Sequence, residues 1–253
     1  MAVIKSLRWA VLGVVSLGAL VCGAAAIRAV EVPTSESMQL ATTPDDRLDQ
    51  DWWKKRHEEK LALAKEGGWD VAFIGDSITH GWEGHGKETW AEFYGDRKAI
   101  NLGYSGDRTE HVLWRLDHGE LDGYQPKVAV IMIGTNNTGH RRDAPQVIAT
   151  GVIRIVQRIQ EKSPKTKVLL LGIFPRSAEA ADPQRENNDL TNGMLEKIGN
   201  DETVVFLNIN DAFLTEDGVL TKEVMPDLLH PEAAGYKIWA EAMEPTLAKL
   251  LGE

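Results

Sequence analysis

Five short apolar runs punctuate this chain, at Val71–Ile74, Ala99–Leu102, Val128–Ile133, Val168–Leu171 and Val204–Leu207, and stretches of helical periodicity lie between them. Most are too continuously apolar for a sheet with one wet face, where apolar and polar residues alternate. Strands that alternate with helices and bury both faces form a parallel sheet, so the predicted fold class is α/β with a central parallel sheet of about five strands covered on both sides. The helical stretches agree. Thr109 to His118 sets Val112, Leu113 and Leu116 on one side and stops at Gly119, Pro145 to Lys162 repeats Val152, Ile155, Val156 and Ile159, and a final helix aligns Tyr236, Trp239, Met243 and Leu250. Asp107 and Glu110 have the spacing of a capping box. A charged leading helix, Arg47 to Lys65, is expected to be pinned by Trp52 and Trp53.

The chain divides into three parts. Lys5 and Arg8 precede an uncharged stretch from Trp9 to Ile27 that ends in Ala24-Ala25-Ala26, the pattern of a signal peptide; the same stretch is also long enough to serve as an uncleaved anchor. Residues 1–27 are thus expected to be a signal peptide or N-terminal anchor, which implies export to the periplasm or the extracellular space. Residues 28–46 turn polar, with Pro33, Pro44 and several Ser and Thr, and read as a tether with no core of its own. Residues 47–253 are expected to form one catalytic domain. A formal charge of −10 argues against nucleic acid as a partner. The single cysteine, Cys22, lies in the leader, so the domain has no thiol for catalysis, a disulfide or a metal. No H-E-x-x-H, thiol cluster or Gly-rich phosphate loop occurs, and neither a metal nor a cofactor is expected.

Four segments carry the chemistry: Gly75-Asp76-Ser77, Asn101-Leu102-Gly103, Gly134-Thr135-Asn136-Asn137 and Asp227-Leu228-Leu229-His230. The first three follow strands and the last opens a helix, so all should meet at one rim of the sheet. Ser77, in the turn from strand to helix, is the candidate nucleophile, with its backbone N–H free to face substrate. Asp227 and His230, three residues apart, would share one side of a turn, the carboxylate orienting the imidazole that activates Ser77. Pro231 is expected to start the last helix. The Ser77 N–H, the Gly103 N–H and the Asn136 amide are candidates for an oxyanion hole. Gly106 is read as serving turn geometry and Asp76 as holding the Ser77 turn. His80 competes as base only on proximity, since no carboxylate stands at a spacing that would orient it.

Together these segments resemble the SGNH or GDSL hydrolases, with Ser77, Gly103, Asn136 and His230 at the four named positions. Within them, Asn101 to Asp107, His111 to Leu116, Gly119-Glu120-Leu121, Pro126-Lys127-Val128, Gly134 to Asn137 and Phe174-Pro175-Arg176 look like the catalytic subunits of platelet-activating-factor acetylhydrolase. The resemblance implies a flavodoxin-like three-layer α/β/α sandwich, a Ser-His-Asp triad, a preference for acetyl and other short acyl groups, and a homodimer.

The connections after the first three strands are short, which leaves an open site suited to small or sugar-borne acetyl esters. Only Ile173 to Asn188 is long enough to wall the leaving group, and its Arg176 and Arg185 would either meet an anionic leaving group or stand solvated. The expected function is that of a serine esterase acting on acetylated carbohydrate or a similar exported small ester. A lysophospholipase, thioesterase or platelet-activating-factor-type acetylhydrolase of the same fold is the alternative. An acyltransferase or a non-hydrolytic glycan binder is the alternative of a different class.

Overall fold

The computed structural model describes residues 33–200 and 202–253. The expected leader or anchor lies outside them. In chain order the elements are α1 Ser35–Thr42, α2 Asp51–Glu66, β1 Val71–Gly75, α3 Ser77–His80, α4 Lys87–Tyr94, β2 Ala99–Gly103, α5 Thr109–Asp117, β3 Val128–Met132, α6 Pro145–Lys162, β4 Lys167–Leu171, α7 Pro183–Leu195, β5 Val204–Leu207 and α8 Ala233–Leu251.

The five strands are parallel and lie in the order β2-β1-β3-β4-β5. Because side chains alternate between faces along a strand, neighbouring residues feed different cores. Ile74, Leu102 and Ile131 pack with Val112 and Leu116 of α5 and Val152 and Ile155 of α6. Phe73, Val130 and Leu169 pack on the other face with Trp82, Tyr94, Tyr236 and Trp239. The result is the three-layer sandwich expected from the sequence. From β1 the chain winds first to β2 on one side and then to β3 on the other. The crevice beyond the carboxyl ends of β1 and β3 is therefore where the topology opens a site.

One fully buried cation ties the ends of β1 and β2 together. Arg115 of α5 donates from Nε to Asp107 Oδ2 at 2.9 Å, from Nη1 to Leu102 O at 3.1 Å and to Glu120, and from Nη2 to Gly75 O at 3.3 Å. Its guanidinium lies 3.9 Å from the centre of the Tyr104 ring. Asp107 also accepts from Arg47 Nη1 at 2.9 Å and from Trp53 Nε1 at 2.8 Å.

Three local expectations are corrected. Asp107 does not cap α5: the helix starts at Thr109, the Arg108 N–H donates to His111 Nδ1 at 3.0 Å, and Asp107 is drawn inward by donors from three elements. The polar stretch 28–46 is not wholly a tether. Thr34 Oγ1 accepts the Ser37 N–H and caps α1, whose Ala41 is buried and whose Ala41 carbonyl accepts from Thr109 Oγ1 at 2.9 Å. A short helix with a small residue at its contact point can dock closely against α5 and α6 without a large apolar face. Of the paired tryptophans, Trp53 is buried and pins α2, whereas Trp52 is exposed.

Removing one member of a buried charge cluster leaves the others unpaired. Arg115→Met should take the guanidinium from Glu120 and leave Asp107 to Arg47 and Trp53, at a cost of about 3–5 kcal/mol by urea denaturation.

Candidate active site

Gly75 ends β1, and Asp76 turns the chain into α3 by accepting the Ile78 N–H on Oδ1 at 3.0 Å. Ser77 is the first residue of that helix, so its N–H has no intrahelical acceptor and remains available. Tyr236 of α8 donates to Ile78 O at 2.7 Å and fixes α3 from the other side.

His230 reaches Ser77 from a loop. Its Nε2 lies 2.8 Å from Ser77 Oγ and its Nδ1 lies 2.6 Å from Asp227 Oδ2. The pair does not open a helix as expected, since α8 begins at Ala233. Asp227 Oδ1 instead accepts the N–H groups of Leu229 at 3.0 Å and His230 at 2.7 Å, and Leu228 adopts a left-handed φ of 59°. The carboxylate thus shapes the turn with one oxygen and orients the imidazole with the other. Partial burial alone would raise the Asp227 carboxyl, but the hydrogen bonds from the His230 ring and backbone outweigh it and hold it below the ordinary carboxylate value. Ser77, Asp227 and His230 border an open cleft of 410 Å³, together with Ser105, His85 and Tyr236.

The Gly103 expectation is corrected. Its N–H donates to Asn101 Oδ1 at 2.8 Å and is committed within the fold. Glycine is required there for packing, because a Cβ would stand 2.2 Å from the backbone nitrogen of His80. Asn101 Nδ2 in turn donates to Thr79 O at 3.0 Å, so this segment supports α3.

A candidate donor that the sequence reading did not name is Gly106. Tyr104 N–H donates to Gly75 O and Asp107 N–H to Tyr104 O, both at 3.1 Å, closing a turn with Gly106 at a φ of 77°. That conformation favours glycine, and it leaves the Gly106 N–H without an acceptor among the described residues. Ser105 before it lines the cleft. The Asp107 backbone carbonyl after it accepts from Asn136 Nδ2 at 2.9 Å, which brings the tip of β3 to the same turn and leaves the second amide hydrogen without an acceptor among the described residues. The signal was present as Ser105-Gly106-Asp107, a turn sequence with glycine where φ is positive.

The competing groups separate clearly. No hydrogen bond joins Asp76 to His230, and burial pushes its carboxyl up to about 7. His80 Nδ1 lies 3.0 Å from Ser105 Oγ rather than on Ser77. The expectation that no carboxylate attends His80 is overturned, since Glu83 Oε2 stands 3.9 Å from its Nε2 at a three-residue spacing. Neither loop arginine is simply solvated. Arg176 Nη1 donates to Thr135 O at 2.9 Å, and buried Arg185 donates to Ala178 O at 3.1 Å. The expected loop to Asn188 ends at Pro183, where α7 begins under an Asp182 cap.

Comparison with known proteins places these observations in one family. The model of the GDSL-like lipase/acylhydrolase family matches residues 73–238, and the chain belongs to that family. It is 34% identical to human platelet-activating factor acetylhydrolase IB subunit alpha1 over 202 residues, 79% of this chain and 85% of that one. It is 35% identical to the rat alpha2 subunit over 213 residues, 83% of this chain and 89% of the relative. Among solved structures, a GDSL-like lipase from Bacteroides thetaiotaomicron superposes with a TM-score of 0.58 at 22% identity, covering 77% of this chain and 97% of that one. An acetylxylan esterase from Geobacillus stearothermophilus gives 0.58 at 19% identity, covering 74% and 95%. These two likenesses bear on the fold.

Asp76 has a pH signature. Its folded-state value of about 7 lies above the ordinary 3.8, so the proton is held by the folded chain and released by the unfolded one across that interval. The stability this gives is fully present below about pH 4 and is lost as pH rises through about 7, an effect on the order of a few kcal/mol. Asp76→Asn stays neutral throughout, so its urea midpoint should change less than the parent's between pH 4 and 8 and should exceed it at pH 8.

Proposed function

We propose that this member of the GDSL acylhydrolases is an exported serine esterase that removes acetyl groups from acetylated carbohydrate. The observation that carries the catalytic part is the unbroken contact chain Asp227 Oδ2, His230 Nδ1, His230 Nε2, Ser77 Oγ, at 2.6 and 2.8 Å. Asp227 keeps the ring proton on Nδ1, leaving Nε2 to take the Ser77 proton as Oγ attacks the ester carbonyl. The N–H groups of Ser77 and Gly106 and the free hydrogen of the Asn136 amide receive the oxyanion. His230 then returns the proton to the departing alcohol, which leaves an acetyl-serine. A water molecule, deprotonated by His230, attacks that ester, and its collapse releases acetate and restores Ser77.

Support for short acyl groups and sugar alcohols comes from an open, partly polar cleft, from the acetyl chemistry named in the PAF acetylhydrolase relatives, and from the acetylxylan esterase that shares the fold. Export rests on Lys5 and Arg8 ahead of the uncharged stretch Trp9 to Ile27, acting as a cleaved leader or a retained anchor.

With p-nitrophenyl acetate the purified chain should release p-nitrophenol. Asn136→Ala should lower kcat on the order of 10²–10³, and Asp227→Asn on the order of 10⁴ by favouring the wrong tautomer. A parent protein that releases nothing is a binder and not an esterase; variants that keep full turnover would remove these residues from the mechanism.

A further inference from the structure

Ser105 shares the catalytic cleft with Ser77 and His230 and has a histidine of its own. His80 Nδ1 lies 3.0 Å from Ser105 Oγ, while its Nε2 faces Glu83 Oε2 at 3.9 Å. Glu83 is held by Arg56, whose Nη1 and Nη2 donate at 2.9 and 2.8 Å, and by Lys60 Nζ at 2.7 Å. The charged groups around the imidazole are thus one anchored carboxylate and the two cations that anchor it.

This arrangement sets the direction of the Ser105 hydrogen bond. Burial, and then the Arg56 charge, push His80 down to about 4, so the ring is neutral at ordinary pH. A neutral imidazole carries one proton, and the Glu83 carboxylate favours it on Nε2. With the ring proton on Nε2, Nδ1 is the acceptor and Ser105 donates to it. A hydroxyl that has given its only hydrogen offers the solvent side nothing but oxygen lone pairs.

The position is rigid. Ser105 O accepts from Arg47 Nη1 at 2.8 Å, and the turn is closed on both sides through Gly75 O and Tyr104 O. Ser105 directly precedes Gly106, so its oxygen sits beside the donors assigned to the oxyanion.

We propose that Ser105 Oγ is the acceptor of a hydroxyl-binding subsite in the cleft, holding a free hydroxyl on the alcohol portion of the ester. The ligand class is a polyol or sugar that carries an unesterified hydroxyl near the acetylated one. This subsite rests on the esterase reading above and narrows its substrate: partially acetylated sugars are favoured over fully capped ones. Ser105 takes no part in bond making or breaking.

The test compares methyl 2-O-acetyl-β-xyloside, which has free hydroxyls, with its 3,4-di-O-methyl counterpart, which has none. The quantity read is the ratio of their kcat/KM values in the full chain. The parent should favour the free-hydroxyl ester, and Ser105→Ala should reduce that preference by about five-fold, mainly through KM, as expected for one lost neutral hydrogen bond. Ser105→Thr, which keeps the hydroxyl, should restore it. A merely structural role for Ser105 would lower both rates and leave the ratio unchanged, and that result overturns the subsite, as does a parent with no preference. If the parent cleaves p-nitrophenyl acetate but neither xyloside, the carbohydrate reading and this subsite fall while the esterase stands. If it cleaves none of the three esters, the esterase reading itself falls.

Discussion

A guanidinium with no exposure to water holds the catalytic end of this sheet together. Arg115 bonds the carbonyl that closes β1, a carbonyl near the end of β2, and the carboxylates of Asp107 and Glu120. Burying an ion in protein is costly unless it is fully paired, so the cluster leaves few alternatives for where these chain ends lie. The consequences reach the site by short steps. Gly75 lies two residues before Ser77, and Asp107 completes the turn that contains Ser105 and Gly106. The Ser77 turn and the turn that carries the Gly106 N–H are therefore positioned by the same buried cation.

His230 arrives by a different route. It comes from a loop shaped by Asp227, with side chains that are 42% and 55% exposed, and its contact with Ser77 closes the cleft from the α8 side. In the proposed reaction, Ser77 and the candidate N–H donors stand on one wall and His230 on the other, which suits charge developing at a fixed oxygen while a proton moves a short distance. Tyr236 links the two walls by donating to the helix that begins at Ser77.

Much of this was legible in the chain. The strands were readable because each is largely buried and therefore continuously apolar, and Ser77 and Asn136 stood just past the predictable ends of β1 and β3. What failed was local. Asp227 and His230 looked like a helix start because three-residue spacing fits a helical turn and an Asx-type turn equally well. Asp107 looked like a cap because spacing says nothing about the tertiary donors Arg47, Trp53 and Arg115. Gly103 and Gly106 could not be ranked by sequence. Both end or follow the same strand, and they are separated by the Gly103 N–H bond to Asn101, the packing of Gly103 against α3 and the positive φ of Gly106.

The most direct measurement is the crystal structure of the adduct formed with diethyl p-nitrophenyl phosphate, which phosphorylates an activated serine and mimics the tetrahedral intermediate. The account predicts a covalent bond to Ser77 Oγ, with the phosphoryl oxygen within hydrogen-bond distance of the Ser77 and Gly106 backbone nitrogens and Asn136 Nδ2. An adduct on another residue, or a phosphoryl oxygen turned away from the Gly106 and Asn136 donors, would contradict it.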